Sequence, residues 1–93
     1  MEFEKVLEQI GQIGILPVVK IEAREQAAPL AECLVRAGFP AVEITFRTGA
    51  CTEAIREIKK KVPGVLVGAG TVETEKQARE AMEAGAEFLI SPG

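Results

Sequence analysis

The sequence predicts an α/β fold built on a parallel sheet, because short apolar runs alternate with amphipathic helical patterns along the chain. Four strand-like runs are separated by helical patterns, and one further helical pattern precedes the first run. The runs are rich in Val, Ile and Leu, as in a sheet whose two faces are both covered. The predicted order is therefore an N-terminal helix followed by β-α-β-α-β-α-β, with four parallel strands and three intervening helices.

The first elements are predicted from apolar stripes and from prolines and glycines. A helix is expected over residues 2–10, and Gly11 can end it. The first strand is expected over 15–20, although Pro17 lacks the N–H that a strand ladder needs. A second helix begins near Arg24, accepts Pro29 in its first turn and ends at Gly38. Its expected buried face consists of Ala27, Leu30, Ala31, Leu34 and Val35.

The rest of the chain repeats this alternation. A strand over 41–46 precedes a helix that Pro63 and Gly64 cut off. The expected buried face of that helix consists of Cys51, Ala54, Ile55, Ile58 and Val62. A third strand is expected over 65–70. The last helix should start at a capping box and end at a glycine, and a fourth strand should follow over 86–91. The residues concerned are Thr74 and Gln77 for the box, Ala78, Ala81 and Met82 for the buried face, and Gly85 for the end.

Length and composition exclude several classes of function. Ninety-three residues, 47% of them hydrophobic and 27% charged, permit one small domain over 1–93. The net charge of −3 and the absence of Trp and Tyr argue against a nucleic-acid partner. The chain has no His, which argues against a zinc site or a histidine-dependent nucleophile, and Cys33 and Cys51 are interpreted as small reduced hydrophobic residues. No run is long enough to cross a membrane and no signal peptide is recognised, so we expect a cytoplasmic protein.

Two ionisable residues, Glu43 and Arg47, lie within or directly after the apolar strand predicted over 41–46. Because side chains on a strand alternate with a period of two, both point to one face, with Thr45 between them. A buried charge is costly unless it has a partner or a function. The pair is therefore either a structural ion pair inside the sheet or part of a binding site.

Polar residues also gather where the other predicted strands end. They are Lys20 at the end of the first strand, Thr48 after the second, Thr71 after the third, and Ser91 with Pro92 after the fourth. The carboxyl ends of parallel strands carry the function both in open doubly wound sheets and in closed (β/α)₈ barrels. The alternation alone allows either architecture, and four strands are too few to close a barrel.

The segment from Gly68 to Gly70 invites comparison with a phosphate-binding loop. A dinucleotide-binding fingerprint would need a third glycine at position 73, where this chain has Glu73. Close packing at the end of a strand is the preferred explanation for the two glycines.

Three motifs in register resemble one enzyme family. They are Glu43-Ile-Thr-Phe-Arg-Thr48, Val67-Gly-Ala-Gly-Thr71 and Ala84-Gly-Ala-Glu-Phe-Leu-Ile-Ser-Pro92. In order and spacing they are similar to the bacterial 2-keto-3-deoxy-6-phosphogluconate (KDPG) / 4-hydroxy-2-oxoglutarate (KHG) aldolases, and the resemblance covers essentially the whole chain. It implies half of a (β/α)₈ barrel and a class I lyase of the Entner-Doudoroff pathway. Such an enzyme cleaves KDPG to pyruvate and glyceraldehyde 3-phosphate through a Schiff base and needs no metal or other cofactor.

The resemblance also implies roles for five residues. Glu43 matches the family's general acid/base, and Arg47 the residue that holds the pyruvate carboxylate. Thr71 matches a hydroxyl that lines the same pocket, and Pro92 a residue of its wall. Lys20 stands where many relatives have a basic residue, so a salt bridge or a carboxylate contact is expected of it, with a substitute Schiff-base lysine as the alternative.

The family's Schiff-base lysine lies on its sixth strand, beyond the sequence of this chain. We therefore expect a partial domain that is inactive alone. Two other hypotheses stay open: a half-barrel that self-associates without a catalytic role, and a module that binds a small keto acid without turnover. The family is commonly a homotrimer, and an isolated half-barrel is expected to form a dimer or a swapped assembly.

Overall fold

The computed structural model describes residues 16–39, 41–46 and 49–91. Within these ranges the sheet consists of β1 (Val18–Val19), β2 (Ala41–Thr45) and β3 (Leu66–Gly70). The same ranges contain three α-helices, α1 (Ala27–Arg36), α2 (Cys51–Lys61) and α3 (Glu75–Ala84), and a short 3₁₀ helix (Arg24–Gln26) leads into α1. The helix predicted over 2–10 lies outside the described residues.

The strands are parallel and lie in chain order, β1-β2-β3. Val18 of β1 pairs with Glu43, and β2 pairs with β3 from Ala41 opposite Leu66 to Thr45 opposite Gly70. Each connection between neighbouring strands contains a helix, as parallel pairing requires. The α/β class and the parallel arrangement predicted from the alternation are therefore confirmed.

The first strand is shorter than predicted. Within the described part of this run, residues 16–20, only Val18 and Val19 pair with β2. The carbonyl of Pro17 accepts a hydrogen bond from the Glu43 N–H (2.9 Å), but Pro17 has no N–H to donate in return. The proline thus marks where regular pairing of the described residues begins.

The fourth predicted strand is the clearest difference. Residues 86–91 form a single parallel bridge, Leu89 to Ala69, instead of a full strand. Hydrogen bonds still run along β3, from the Glu87 N–H to the Val67 carbonyl (2.8 Å) and from the Ile90 N–H to the Ala69 carbonyl (2.8 Å). The segment therefore occupies the position of a fourth strand beside β3 without its regular ladder.

Local signals set the helix boundaries as predicted. Gly38 and Gly85 follow α1 and α3 with φ of 95° and 110°, a left-handed backbone conformation that residues other than glycine rarely adopt. At the start of α3, the Gln77 N–H donates to Thr74 Oγ1 (3.0 Å), and Gln77 Oε1 accepts from the Thr74 N–H (3.3 Å). This is the capping box expected from the sequence.

The helices cover one face of the sheet and form the main core with it. Val42 and Ile44 of β2 and Val67 and Ala69 of β3 are fully buried there. All five residues of the predicted face of α2 are buried: Cys51, Ala54, Ile55, Ile58 and Val62. The prediction was wrong for Val35 and Met82, which are 40% and 63% exposed, because the buried stripes of α1 and α3 instead use Ala28 and Ala84. No helix in the described part of the chain is long and apolar enough to cross a membrane.

Candidate active site

The alternation of β2 sends Glu43 and Thr45 to the face opposite Val42 and Ile44. Both polar side chains are nevertheless buried, with 6% and 5% of their surface exposed. On the same face, Ala41 packs in a small cluster with Leu66, Phe88 and Leu16. The sequence prediction that Glu43 and Thr45 share one face therefore agrees with the register of the sheet.

Two glycines of β3 make room for this arrangement. Gly68 and Gly70 pair with Glu43 and Thr45, and parallel partners project to the same face. A Cβ at Gly70 would overlap the Glu43 carboxylate, and one at Gly68 would overlap the Phe88 ring. Close packing thus explains both glycines, because the side chains of Glu43 and Phe88 occupy the space that a Cβ at these positions would take. The carboxylate of Glu43 lies over Gly70, towards the carboxyl end of the sheet.

A cleft opens at this end of the sheet, with a volume of about 590 Å³. Its polar lining comes from the ends of all three strands and from the segment beside β3. The lining residues are Val18, Lys20, Glu43, Thr45, Thr71, Ile90 and Ser91. We refer to this space, defined by these seven residues, as the strand-end cleft.

Glu43 has the electrostatics expected of an acid/base group. Burial raises the pKa of its carboxyl above the ordinary value of 4.5, because the charged form loses solvent. None of the ion pairs formed among residues 16–39, 41–46 and 49–91 involves Glu43. A carboxyl with a raised pKa in a cleft can take up and release a proton near neutral pH more readily than a solvated one.

Thr45 carries a buried hydroxyl. Its Oγ1 has no hydrogen-bond partner among residues 16–39, 41–46 and 49–91. Leaving such a group unsatisfied costs about 1–3 kcal/mol.

Thr71 follows β3 in a strained conformation. Its φ of 56° lies in the left-handed region, and it is the one residue other than glycine in the described ranges with positive φ. For a β-branched residue this conformation costs about 1–3 kcal/mol, and such strain is concentrated at functional sites. Thr71 is also one of the residues that line the cleft.

The amine of Lys20 lies at the cleft in a solvent-exposed environment. Lys20 lines the cleft, yet its side chain is 55% exposed and its Nζ lies 3.7 Å from Glu22 Oε1, a surface ion pair of small energetic value. The salt bridge expected of Lys20 is thus present, with Glu22 as the partner.

Cys51 is buried against the Ile44 carbonyl, and burial raises the pKa of its thiol to about 12, so the thiol stays protonated and inert.

Three of the five predicted site residues, Lys20, Glu43 and Thr71, come together at the cleft. The other two, Arg47 and Pro92, lie outside the described residues. The apolar walls formed by Val18 and Ile90 could not be predicted, because isolated apolar residues in strands are ordinary core residues. The left-handed conformation of Thr71 could not be predicted either, since threonine rarely adopts it.

The sequence model of the KDPG and KHG aldolase family matches residues 6–93. This chain belongs to the KDPG and KHG aldolase family. It is 44% identical over 88 residues to the 2-dehydro-3-deoxy-phosphogluconate aldolase of Treponema pallidum, with 95% of this chain and 42% of the relative covered. It is 47% identical over 79 residues to the KHG/KDPG aldolase of Escherichia coli strain K12, covering 85% of this chain and 37% of the relative. The chain thus spans about two fifths of the length of these relatives.

Solved aldolase structures have the same fold over this part. The KDPG aldolase of Zymomonas mobilis, solved with 3-phosphoglycerate, is 50% identical and superposes with a TM-score of 0.77, over 84% of this chain and 37% of that one. The KDPG aldolase of Legionella pneumophila, solved with pyruvate captured as a covalent carbinolamine intermediate, is 42% identical with a TM-score of 0.80, over 84% and 38%. The parallel β/α units of this chain are therefore similar to part of a (β/α)₈ barrel.

Proposed function

We propose that the strand-end cleft is the keto-acid side of a class I aldolase site that cleaves KDPG to pyruvate and glyceraldehyde 3-phosphate. The observation that carries the proposal is the buried Glu43 carboxyl, which lies over Gly70 in a cleft that three strand ends share. Family membership supports the reaction class, and the raised pKa of Glu43 supports proton transfer as its function.

In this proposal Glu43 moves protons to and from the reacting keto acid. Breaking the bond between C3 and C4 of an imine-bound keto acid requires a base for the C4 hydroxyl proton and an acid for the enamine carbon that results. A single carboxyl can serve in both steps, because it ends the first step protonated and gives that proton up in the second. A raised pKa brings the protonated state of this carboxyl closer to neutral pH than that of a solvated carboxyl.

The substrate carboxylate is assigned to the part of the cleft that Thr71 lines, because this residue offers a hydroxyl. Arg47 is proposed as the cation that pairs with the carboxylate, for which a planar two-pronged donor suits the geometry of the anion. Lys20 adds positive charge at the rim, and Pro92 is proposed as part of the wall.

We also propose that the imine-forming lysine of the family is supplied from outside these 93 residues. Support comes from Lys20, the one lysine among the described residues that lines the cleft, which is exposed and paired with Glu22. A Schiff-base lysine is activated by an apolar, desolvated pocket or by a neighbouring cation, whereas the Lys20 side chain is 55% exposed and its ion-pair partner is a carboxylate. The 93-residue chain alone is then expected to bind a keto acid without cleaving KDPG.

Titration of the 93-residue chain with pyruvate, followed by NMR of its backbone amides, tests this assignment. We expect shifts concentrated at Glu43, Thr45 and Thr71. Treatment with borohydride in the presence of pyruvate should leave the mass unchanged. An absence of shifts would reject the keto-acid site, whereas a stable adduct would show that a lysine of this chain, with Lys20 as the first candidate, forms the imine.

A second candidate function is self-association of the half-barrel. The observation in its favour is exposed apolar surface at both edges of the described sheet, with Val18 of β1 60% exposed and Leu89 and Ile90 beside β3 also exposed. Unpaired strand edges and apolar side chains together favour pairing with another chain. A homo-oligomer is proposed on this ground, as a dimer or swapped assembly for the 93 residues and as a trimer for the whole enzyme.

A further inference from the structure

Phe88 packs against the sheet on the same face as Glu43. Its side chain is buried, with 9% of its surface exposed, and it belongs to the small apolar cluster that contains Ala41. Atoms of its ring occupy the place that a Cβ at Gly68 would take. The reaction proposed above gives this aromatic residue no role, although its ring lies over the strand partner of the acid/base group.

The backbone holds Phe88 beside β3. The Ala69 N–H donates to the Phe88 carbonyl (3.0 Å), and Leu89 forms the parallel bridge with Ala69. Because side chains alternate along extended backbone, Phe88 and Ile90 lie on one face, and Ile90 lines the strand-end cleft. The ring of Phe88 therefore lies below the wall of the cleft, towards the amino end of the sheet.

Glu43 faces two positions on β3 that have no side chain. Its partner in the register is Gly68, and the next residue of β3 on the same face is Gly70. The Phe88 ring fills the space over Gly68, whereas the Glu43 carboxylate lies over Gly70. Since a packed interior holds one group in one space, the ring excludes the carboxylate from the position over its own strand partner. The position that remains lies closer to the carboxyl end of the sheet, where the cleft opens.

We propose that Phe88 is a positioning residue for Glu43: its ring closes the space over Gly68 and holds the carboxyl over Gly70, at the strand-end cleft. The inference rests on the proposed aldolase function, which gives Glu43 its part in proton transfer, and adds the residue that sets where this carboxyl lies. Two positions along a strand are about 6–7 Å apart. A general base must lie within hydrogen-bond reach of the reacting proton, so a carboxyl over Gly68 would be too far away.

The ring also keeps water from one side of the carboxyl. Burial raises the pKa of Glu43, and the ring is part of the apolar surroundings that bury it. Removing the ring should admit water to the space over Gly68 and lower the pKa of Glu43 towards 4.5. Lys20 is the other charged residue among the described lining of the cleft, and a change at Phe88 leaves that charge in place.

NMR of the 93-residue chain reads the position of Glu43 without any substrate. In wild type we expect a nuclear Overhauser effect (NOE) from Glu43 Hγ to Gly70 Hα and none to Gly68 Hα. In Phe88→Ala, Glu43 Hγ should gain an NOE to Gly68 Hα. Titration of the Glu43 carboxyl ¹³C signal should then show a lowered pKa. Phe88→Leu, which refills the space with an apolar side chain, should return both measurements towards wild type.

Leu66→Ala is the matched control. Leu66 belongs to the same cluster as Phe88 and is 5% exposed, but it does not occupy the space over Gly68. This variant should lose stability, as truncations of buried side chains do, while the NOEs and the pKa of Glu43 stay as in wild type. An equal fall of the Glu43 pKa in Leu66→Ala and Phe88→Ala would show a general effect of lost packing and overturn the positioning role.

Two further results would overturn the inference. An NOE from Glu43 to Gly68 in wild type would mean that the ring does not keep the carboxyl from that space, and this measurement needs no variant to fold. Unchanged NOEs and pKa of Glu43 in Phe88→Ala would mean that other contacts position the carboxyl. Both results leave the keto-acid site intact. A wild-type chain whose amides do not shift with pyruvate rejects that site, and with it the function that Phe88 would serve.

Discussion

At position 43, strand β2 places a carboxyl group in a buried setting where no cation pairs with it among the described residues. The cost of burial appears as a raised pKa, and the space comes from the missing side chain of Gly70. One residue therefore connects the packing of the sheet to the chemistry proposed for the cleft.

The raised pKa of Glu43 predicts a specific dependence of stability on pH. Between 4.5 and the raised pKa, the folded chain holds a proton that the unfolded chain has released. Since the folded state then binds more protons, the free energy of unfolding contributed by Glu43 falls as pH rises through this window. Glu43→Gln cannot ionise, so it should lack this decline and be more stable than wild type at pH 7.

Urea denaturation of both proteins at a series of pH values measures this difference. Glu53→Gln, an exposed substitution on α2, is the matched control and should follow the wild-type profile. Parallel profiles for wild type and Glu43→Gln would show that the carboxyl titrates in the folded chain as it does in water.

At the scale of elements, the capping box of α3 offers a local test. Thr74→Ala removes the acceptor of the Gln77 N–H and should lower the free energy of unfolding by about 1 kcal/mol. Thr52→Ala, in the first turn of α2, serves as control and should be neutral or slightly stabilising, because Ala50 rather than Thr52 is the N-cap and alanine has the higher helix propensity. Equal losses in the two variants, measured by chemical denaturation, would mean that the cap contributes nothing specific.

The elements that could be predicted from sequence are those with local signals. The ends of α1 and α3 follow from Gly38 and Gly85, and the start of α3 from Thr74 and Gln77. The run 86–91 could not be judged this way, because a short apolar run does not reveal how many of its hydrogen bonds form a regular ladder.

The site was predictable to the extent that strand periodicity determines it. The alternation of side chains along the strand predicted over 41–46 was enough to place Glu43 and Thr45 on one face of the sheet. The overlap of Glu43 with the space above Gly70 depends on the register between two strands, which the sequence alone does not set. The roles of Glu43, Arg47, Thr71, Pro92 and Lys20 stay predictions that rest on the family.

For the molecule as a whole, the exposed edges predict association. Static light scattering of the 93-residue chain should report a dimer or a larger species, since Val18, Leu89 and Ile90 expose apolar surface at the sheet edges. Val18→Lys should shift the population towards monomer by placing a charge on the edge strand. Met82→Lys removes a similarly exposed apolar residue from α3 and should leave the assembly unchanged. A wild-type monomer would reject self-association.

Turnover tests the central claim most directly. The measurement is kcat for KDPG cleavage by a joined enzyme, in which this chain is followed by the part of the Zymomonas mobilis aldolase that it does not cover. We expect the joined enzyme to cleave KDPG and Glu43→Gln to lower kcat by about 10²–10⁴-fold, the range for loss of a general acid/base. Glu53→Gln should keep full activity. A Glu43→Gln enzyme that cleaves KDPG at the rate of the Glu53→Gln control would contradict the account.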